Sequence, residues 1–326
     1  MAFAPGDSMF LWLLFEYHYL KSSQVAKLTG RGVRVCRRRL QELQRLEMVK
    51  AMDTAAMDEN AYTLGTKGWE FIAYEMGTTV EHLPFSREAV RVQSIFWKHT
   101  ILVNDIRIAL TLGAASHPDI VLHRYIPEWE QVARPHRQGK AHKQENYLLW
   151  DRLEDKGQHK IYDHRPDGCC LVGRKNDPAD AFAALFLEAD RGTETIRRKI
   201  DAKYAAYRLY FNNQLYFRQF GAGRMRVLFV LSDVATNLRI RHMQDHLQKI
   251  AHQLGDPNPE EDGNSPASFV HLFRFVRFDQ LSDESVWDDP VWQDWRGREF
   301  ALYRAPEMKT LVERDGSPTG VSVASE

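Results

Sequence analysis

The pattern that most constrains this chain is a helical one near its N-terminus. Val33, Cys36, Leu40 and Leu43 recur at the three-four spacing of one buried face, behind a turn at Gly30 and Gly32, and predict an amphipathic helix over Val33 to Leu46. At about 100° per residue, Arg34, Arg37, Arg38, Gln41 and Arg45 fall within roughly 100° of arc on the opposite side. Solvated faces usually mix Lys, Glu and Arg, whereas here Arg34 and Arg38 stand four apart and repel. An anionic partner relieves that repulsion, and guanidinium suits both phosphate and the O6/N7 edge of guanine. The plain alternative is a solvated helix face.

Overall charge conceals this segment. The 326 residues carry 44 Lys and Arg against 44 Asp and Glu, yet nine basic residues face only Glu42 and Glu47 between Lys21 and Lys50. At about 150 residues per domain the length fits roughly two domains, and 44% hydrophobic residues supply their cores. The apolar run Met9 to Phe15 is far short of the ~20 residues of a membrane helix, and Pro5 and Asp7 stand where a signal peptide carries its basic region. Cys36, Cys169 and Cys170 are odd in number and form no CxxC pair, which argues against a disulfide framework or a cysteine-rich zinc site. The expectation is a soluble cytoplasmic protein with no membrane contact.

Around the arginine helix, Phe10 to Tyr19 reads as an apolar helix and Ser22 or Ser23 as the cap of a short helix ending near Leu28. Met48 to Met52 and Ala61 to Leu64 read as short strands, and Thr66 to Glu75 as a helix. This order, with YTLGTKGWEF at Tyr62 to Phe71, resembles a winged-helix domain, placed at residues 8–80. The resemblance implies that the arginine helix enters the major groove of double-stranded DNA while the wing, with Lys67, touches backbone.

After a helix from about Arg87 to Leu112, strands are expected at Ile120 to Ile126, Gly168 to Val172 and Ala183 to Asp190. A helix from Glu194 to Phe211 capped by Thr193, a strand Met225 to Leu231, a helix Thr236 to Leu254 and a strand Phe269 to Phe278 complete the order. Period-two alternation puts Phe186, Glu188 and Asp190 on one side of their strand and Leu187 and Ala189 on the other. If the strands pair, Asp167 joins the two carboxylates, and such a cluster calls for cations, protons or a hard divalent ion. Mg²⁺ held by Asp167, Glu188 and Asp190 would polarise a phosphodiester and activate water.

The residues Pro166-Asp167 and Glu188-Ala189-Asp190 resemble the PD-(D/E)xK nuclease superfamily, placing an α/β restriction-endonuclease-like core at 87–282 and making the chain α+β. In the family's terms Asp167, Glu188 and Asp190 are catalytic, but Asp190 stands where the lysine belongs. Lys199 and Lys203, spaced i,i+4 on the next helix, are the candidates to replace it. The structural alternative pairs Glu188 with Lys199 or Arg198 and makes Asp190 to Thr193 a turn and cap. Arg134, Arg137, Lys140 and Lys143 form a second basic stretch with candidate phosphate contacts, and His136, His142, His159 and His164 match no common zinc spacing. Gly255 to Ser265 reads as an acidic loop, and Trp287, Trp292 and Trp295 in a C-terminal extension, 283–326, as core aromatics.

Taken with RPDG at Arg165 to Gly168 and FLEADRGTE at Phe186 to Glu194, the whole resembles the replication-relaxation family of bacterial mobile elements and plasmids, over about Leu11 to Leu254. The resemblance implies a double-stranded DNA-binding protein of a mobile element, acting in its replication, relaxation or regulation. Other mobile-element proteins and a second copy of the chain are its further candidate partners. Two rivals stay open: an active Mg²⁺-dependent endonuclease, and a transcriptional repressor whose second domain dimerises.

Overall fold

The computed structural model describes residues 3–4, 6–52, 59–83, 97–131, 147–178, 181–193, 195–232, 237–256 and 269–303. The chain is α+β. It begins with α1 (Asp7–Tyr17), β1 (Leu20–Lys21), α2 (Ser22–Thr29) and α3 (Val33–Arg45). β2 (Val49–Met52), β3 (Ala61–Leu64) and α4 (Thr66–Glu75) follow, and the strands form a small sheet in the order β1-β3-β2. Gly30, at φ 65°, ends α2 in the left-handed region and turns the chain into α3, a conformation that side chains beyond glycine rarely adopt. Cys36, Leu40 and Leu43 of α3 are fully buried in one core with Phe10, Leu11 and Leu14 of α1, but Val33, expected on that face and standing in the first turn, is 40% exposed.

Arg39 locks α3 in place. Its guanidinium holds Asp7 of α1, with Nε 2.5 Å from Oδ1, and also pairs with Glu42. Beyond the sheet, Gly68 lets α4 approach the backbone, since a Cβ there would stand 2.1 Å from the Met48 carbonyl oxygen.

α5 (Trp97–Ser116) is buried along most of its length, as a helix wedged between two cores must be. Trp97, Ile101 and Ile108 complete the N-terminal core, while Leu102, Val103, Ile106 and Leu110 pack on the large sheet. Polar bonds join the same units: Asn104 Nδ2 donates to the carbonyls of Tyr17 and Tyr19 at 3.1 and 2.6 Å, Gln24 Nε2 donates to Asp105 at 2.8 Å, and Lys21 pairs with Asp105 at 3.5 Å. The residues before Trp97 in the expected helix lie outside the described residues.

The large sheet contains β4 (Ile120–Pro127), β7 (Gly168–Arg174), β8 (Phe182–Asp190), β9 (Arg224–Leu231), β10 (Phe273–Arg277), β11 (Trp292–Gln293) and β12 (Glu299–Phe300). Its order is β12-β11-β10-β9-β8-β7-β4. The β4, β7 and β8 pairings are antiparallel, and β8, β9 and β10 run parallel through the crossovers α6 (Ile196–Asn212) and α8 (Asn237–Gln253). Both crossover helices cover one face, and α5 covers the other.

Several expectations change. A hairpin of β5 (Asp151–Asp155) and β6 (Lys160–His164), packed beside α6, is inserted before β7. α6 starts at Ile196 with Thr195 at its N-cap, two residues later than the Thr193 cap expected. The strand expected from Phe269 opens with a 3₁₀ turn, Phe269–Leu272, before β10. A short helix, α7 (Leu215–Phe220), lies between α6 and β9. Residues 283–300, read as an extension, add β11 and β12 to the same sheet, with Trp287, Trp292 and Trp295 buried as expected. The three cysteines are free and buried.

Candidate functional site

α3 presents its basic face as the periodicity requires. Arg34, Arg37, Arg38, Gln41 and Arg45 are all exposed, Arg38 with 76% of its side chain in solvent. The face is not uniform: Arg37 is tied to Glu59 at 3.5 Å, and Glu59 also accepts from the Ser23 backbone and hydroxyl at 3.0 and 2.6 Å. Arg38 reaches Glu42 at 4.0 Å, whereas Arg34 and Arg45 have no ion-pair partner among the described residues. Lys67 lies at the start of α4 and is exposed, 3.6 Å from Glu47. Arg134, Arg137, Lys140 and Lys143 lie outside the described residues, as do His136 and His142.

A second constellation forms where β7 begins and β8 ends. The register pairs Gly168 with Leu187, and the Asp167 N–H donates to the Leu187 carbonyl at 2.9 Å, so Asp167 stands opposite Glu188. Alternation on β8 sends Phe186, Glu188 and Asp190 toward α6 and α8 and buries Leu187 and Ala189 beneath α5. Glu188 is 1% exposed. Its Oε1 lies 2.7 Å from Lys203 Nζ and accepts from the Tyr207 hydroxyl at 2.8 Å. Lys203 also donates to the Arg165 carbonyl at 2.7 Å. Burial opposes the charge on Lys203, but Glu188 and Asp167 outweigh it and hold the ammonium above its ordinary range.

Asp190 is clasped separately. Arg239 of α8 donates to both its oxygens, at 2.7 and 3.2 Å, Lys199 sits 3.5 Å away, and the Gly192 N–H closes a turn onto Oδ1 at 3.1 Å. Burial would raise its pKa, but Arg239 and Lys199 hold it below the usual range. Lys199 spends a further bond on the Ala189 carbonyl at 3.1 Å. Asp167 accepts the Ala189 N–H at 2.7 Å and meets His99 Nε2 of α5 at 3.1 Å. Against burial, His99, Lys203 and Lys199 hold Asp167 well below the carboxylate range, and Asp167 in turn raises His99. Glu128, just after β4 and 3.4 Å from Arg165, is pushed up by burial and by Asp167.

Of the predicted residues, then, Asp167, Glu188 and Lys203 come together, while Asp190 and Lys199 turn to Arg239 and the backbone. The expected metal trio, Asp167, Glu188 and Asp190, does not form one ligand group: among the described residues no three His, Cys, Asp or Glu side chains are placed to hold an ion. Mg²⁺ wants six oxygens in octahedral array, and here two ammonium groups, a guanidinium and an imidazole already neutralise the acids. The residues as arranged do not fit that ion. The pairing alternative holds for Glu188, with Lys203 rather than Lys199 as partner, and Asp190 does form the turn. His99, Glu128 and Arg239 escaped the sequence reading because they arrive from α5, the end of β4 and α8 with no motif spacing to mark them, and Tyr207 escaped it although it lies on α6, four residues beyond Lys203.

Fold and site together define an α+β protein in which a small helical and stranded unit with a basic helix is bolted through α5 to a mixed sheet bearing a neutralised acid cluster. A family model described as replication-relaxation matches residues 11–223, well over half of the chain. The chain belongs to the replication-relaxation family. No curated protein and no solved structure matches it. No described helix is long and apolar enough to cross a membrane.

Proposed function

We propose that this protein binds double-stranded DNA of a mobile element, in its replication, relaxation or regulation, and that its core holds DNA or a partner without cleaving it. The observation that carries the reading is α3, whose exposed Arg34, Arg38, Gln41 and Arg45 lie opposite a fully buried Cys36, Leu40 and Leu43. Three helices, a three-stranded sheet and a further helix support a winged-helix unit with α3 as the groove-entering element. The order α5, β4, β7, β8, α6, β9, with Asp167 opposite Glu188, supports a PD-(D/E)xK-like core. Family membership supports the element's replication or relaxation as the setting.

The test reverses Arg34, Arg38 and Arg45 to Glu, sparing Arg37 and Arg39, which hold the unit together. Wild type is expected to bind duplex with log K falling by about 0.9 per phosphate contact per log unit of salt. The variant loses both affinity and salt dependence while melting normally. Unchanged affinity removes α3 from the reading. For the core, supercoiled DNA with Mg²⁺ or Mn²⁺ is expected to remain intact. Nicking by wild type that Glu188→Ala lacks would restore the endonuclease reading, with Lys203 as the replacement lysine.

A further inference from the structure

Arg226 lies on β9 and Arg274 on β10, two central parallel strands. Arg274 pairs with Leu228, two residues beyond Arg226, so both side chains occupy the face that carries Leu228, Val230 and Val276. The same alternation sets Arg224, which is exposed, at the outer end of the β9 column. Both inner arginines are half-buried, yet among the described residues neither has a carboxylate within ion-pair distance. Their bonds go to backbone carbonyls, Arg226 to Met225 at 3.1 Å and Arg274 to His271 and Phe273 at 2.8 and 2.7 Å.

This is unlike Arg39, Arg107 and Arg239, each of which meets a carboxylate: Asp7 and Glu42, Glu16, and Asp190. Half-buried like charges side by side, with no carboxylate in contact, are costly unless an anion arrives. Burial and the neighbouring Arg226 and Arg298 pull Arg274 down to about 10 against the opposing charge of Asp294, and burial and Arg224 lower Arg226. Phe300, 36% exposed, borders the group, with the guanidinium of Arg274 5.1 Å and that of Arg298 5.6 Å from its ring centroid.

We propose that Arg226 and Arg274 form a second phosphate-binding site, for the backbone of the same nucleic acid that α3 contacts. The row from half-buried Arg226 out to exposed Arg224 favours a phosphate that belongs to an extended chain over a small enclosed anion. The site is distinct from the acid cluster. Asp190 pairs with Leu231, five residues along β9 from Arg226, about 17 Å at the strand rise, and faces the opposite side of the sheet. The proposal rests on the DNA-binding reading, and its test separates the two.

The full chain carrying Arg226→Gln and Arg274→Gln is compared with wild type in duplex binding across salt and in thermal melting, with duplex and with tripolyphosphate as probes. The variant is expected to melt no lower than wild type, since a repulsion is removed. It loses duplex affinity with a salt slope shallower by about two, and it loses the stabilisation by tripolyphosphate seen for wild type. Equal affinity and slope in the two proteins overturn the site, as does a lowered melting temperature with binding intact, which marks the pair as structural. If wild type binds no duplex, the DNA reading fails, and tripolyphosphate then decides the site by itself: stabilisation of wild type alone keeps it, and stabilisation of neither protein removes it.

Discussion

Replacing Lys203 with Met removes the charge that stands 2.7 Å from Glu188, a carboxylate only 1% exposed. The Tyr207 hydroxyl still donates to Oε1 at 2.8 Å, but a neutral donor does not compensate the charge. Breaking a buried pair from one side costs about 3–5 kcal/mol, because the remaining ion is stranded. Without Lys203, burial and Asp167 act on Glu188 against Lys199 alone and drive it toward protonation, so the deficit is largest at pH 7 and shrinks as pH falls and the carboxyl takes up its proton. Adding Glu188→Gln to Lys203→Met removes the stranded charge and is expected to recover most of the loss at pH 7. Urea unfolding of the four proteins at pH 7 and at lower pH gives the complete cycle. A cost under about 1 kcal/mol at pH 7, or a deficit that neither acid nor the second substitution relieves, would refute the claim that an internal ammonium neutralises this site.

Other consequences follow from single contacts. Asn104→Leu strands the Tyr17 and Tyr19 carbonyls, each worth about 1–3 kcal/mol, and calorimetry should show the N-terminal unit and the core melting less cooperatively. Gly68→Ala drives a methyl against the Met48 carbonyl, so a loss of about 3 kcal/mol or more is expected in chemical denaturation. His18, buried and stacked 4.2 Å from Trp129, has its pKa lowered to about 3 by burial and by Arg107. Because the unfolded state binds the proton first, near pH 6.5, this histidine withdraws stability as pH falls, by about 2 kcal/mol at pH 5. His18→Gln is therefore expected to flatten the acid limb of a melting-temperature profile, and an unchanged limb would place the proton elsewhere.

Period and composition were informative wherever the residue types on the two faces of an element differed. α3 was legible to within a residue because Cys36, Leu40 and Leu43 must be hidden, and β8 because Phe186, Glu188 and Asp190 alternate with Leu187 and Ala189. The β5–β6 hairpin was not, since its residues, DRLED and KIYDH, are mostly polar and its packing against α6 engages few of them. β11 and β12 are two residues each, too short for any period. Val33 misled because periodicity describes the helix and not what packs against its first turn.

The acid site divides along the same line. Local spacing alone established that Glu188 and Asp190 share a side and that Lys199 and Lys203 share a helix face. Which lysine meets which acid depends on how α6 lies across β8, and the arrival of Arg239 and His99 depends on crossovers and a helix far away in the chain. Alternation is a property of the backbone and can be read from one strand. Neutralisation of a buried charge is a property of everything within a few ångströms, and only the folded arrangement decided that these carboxylates meet ammonium, guanidinium and imidazole groups of the chain itself.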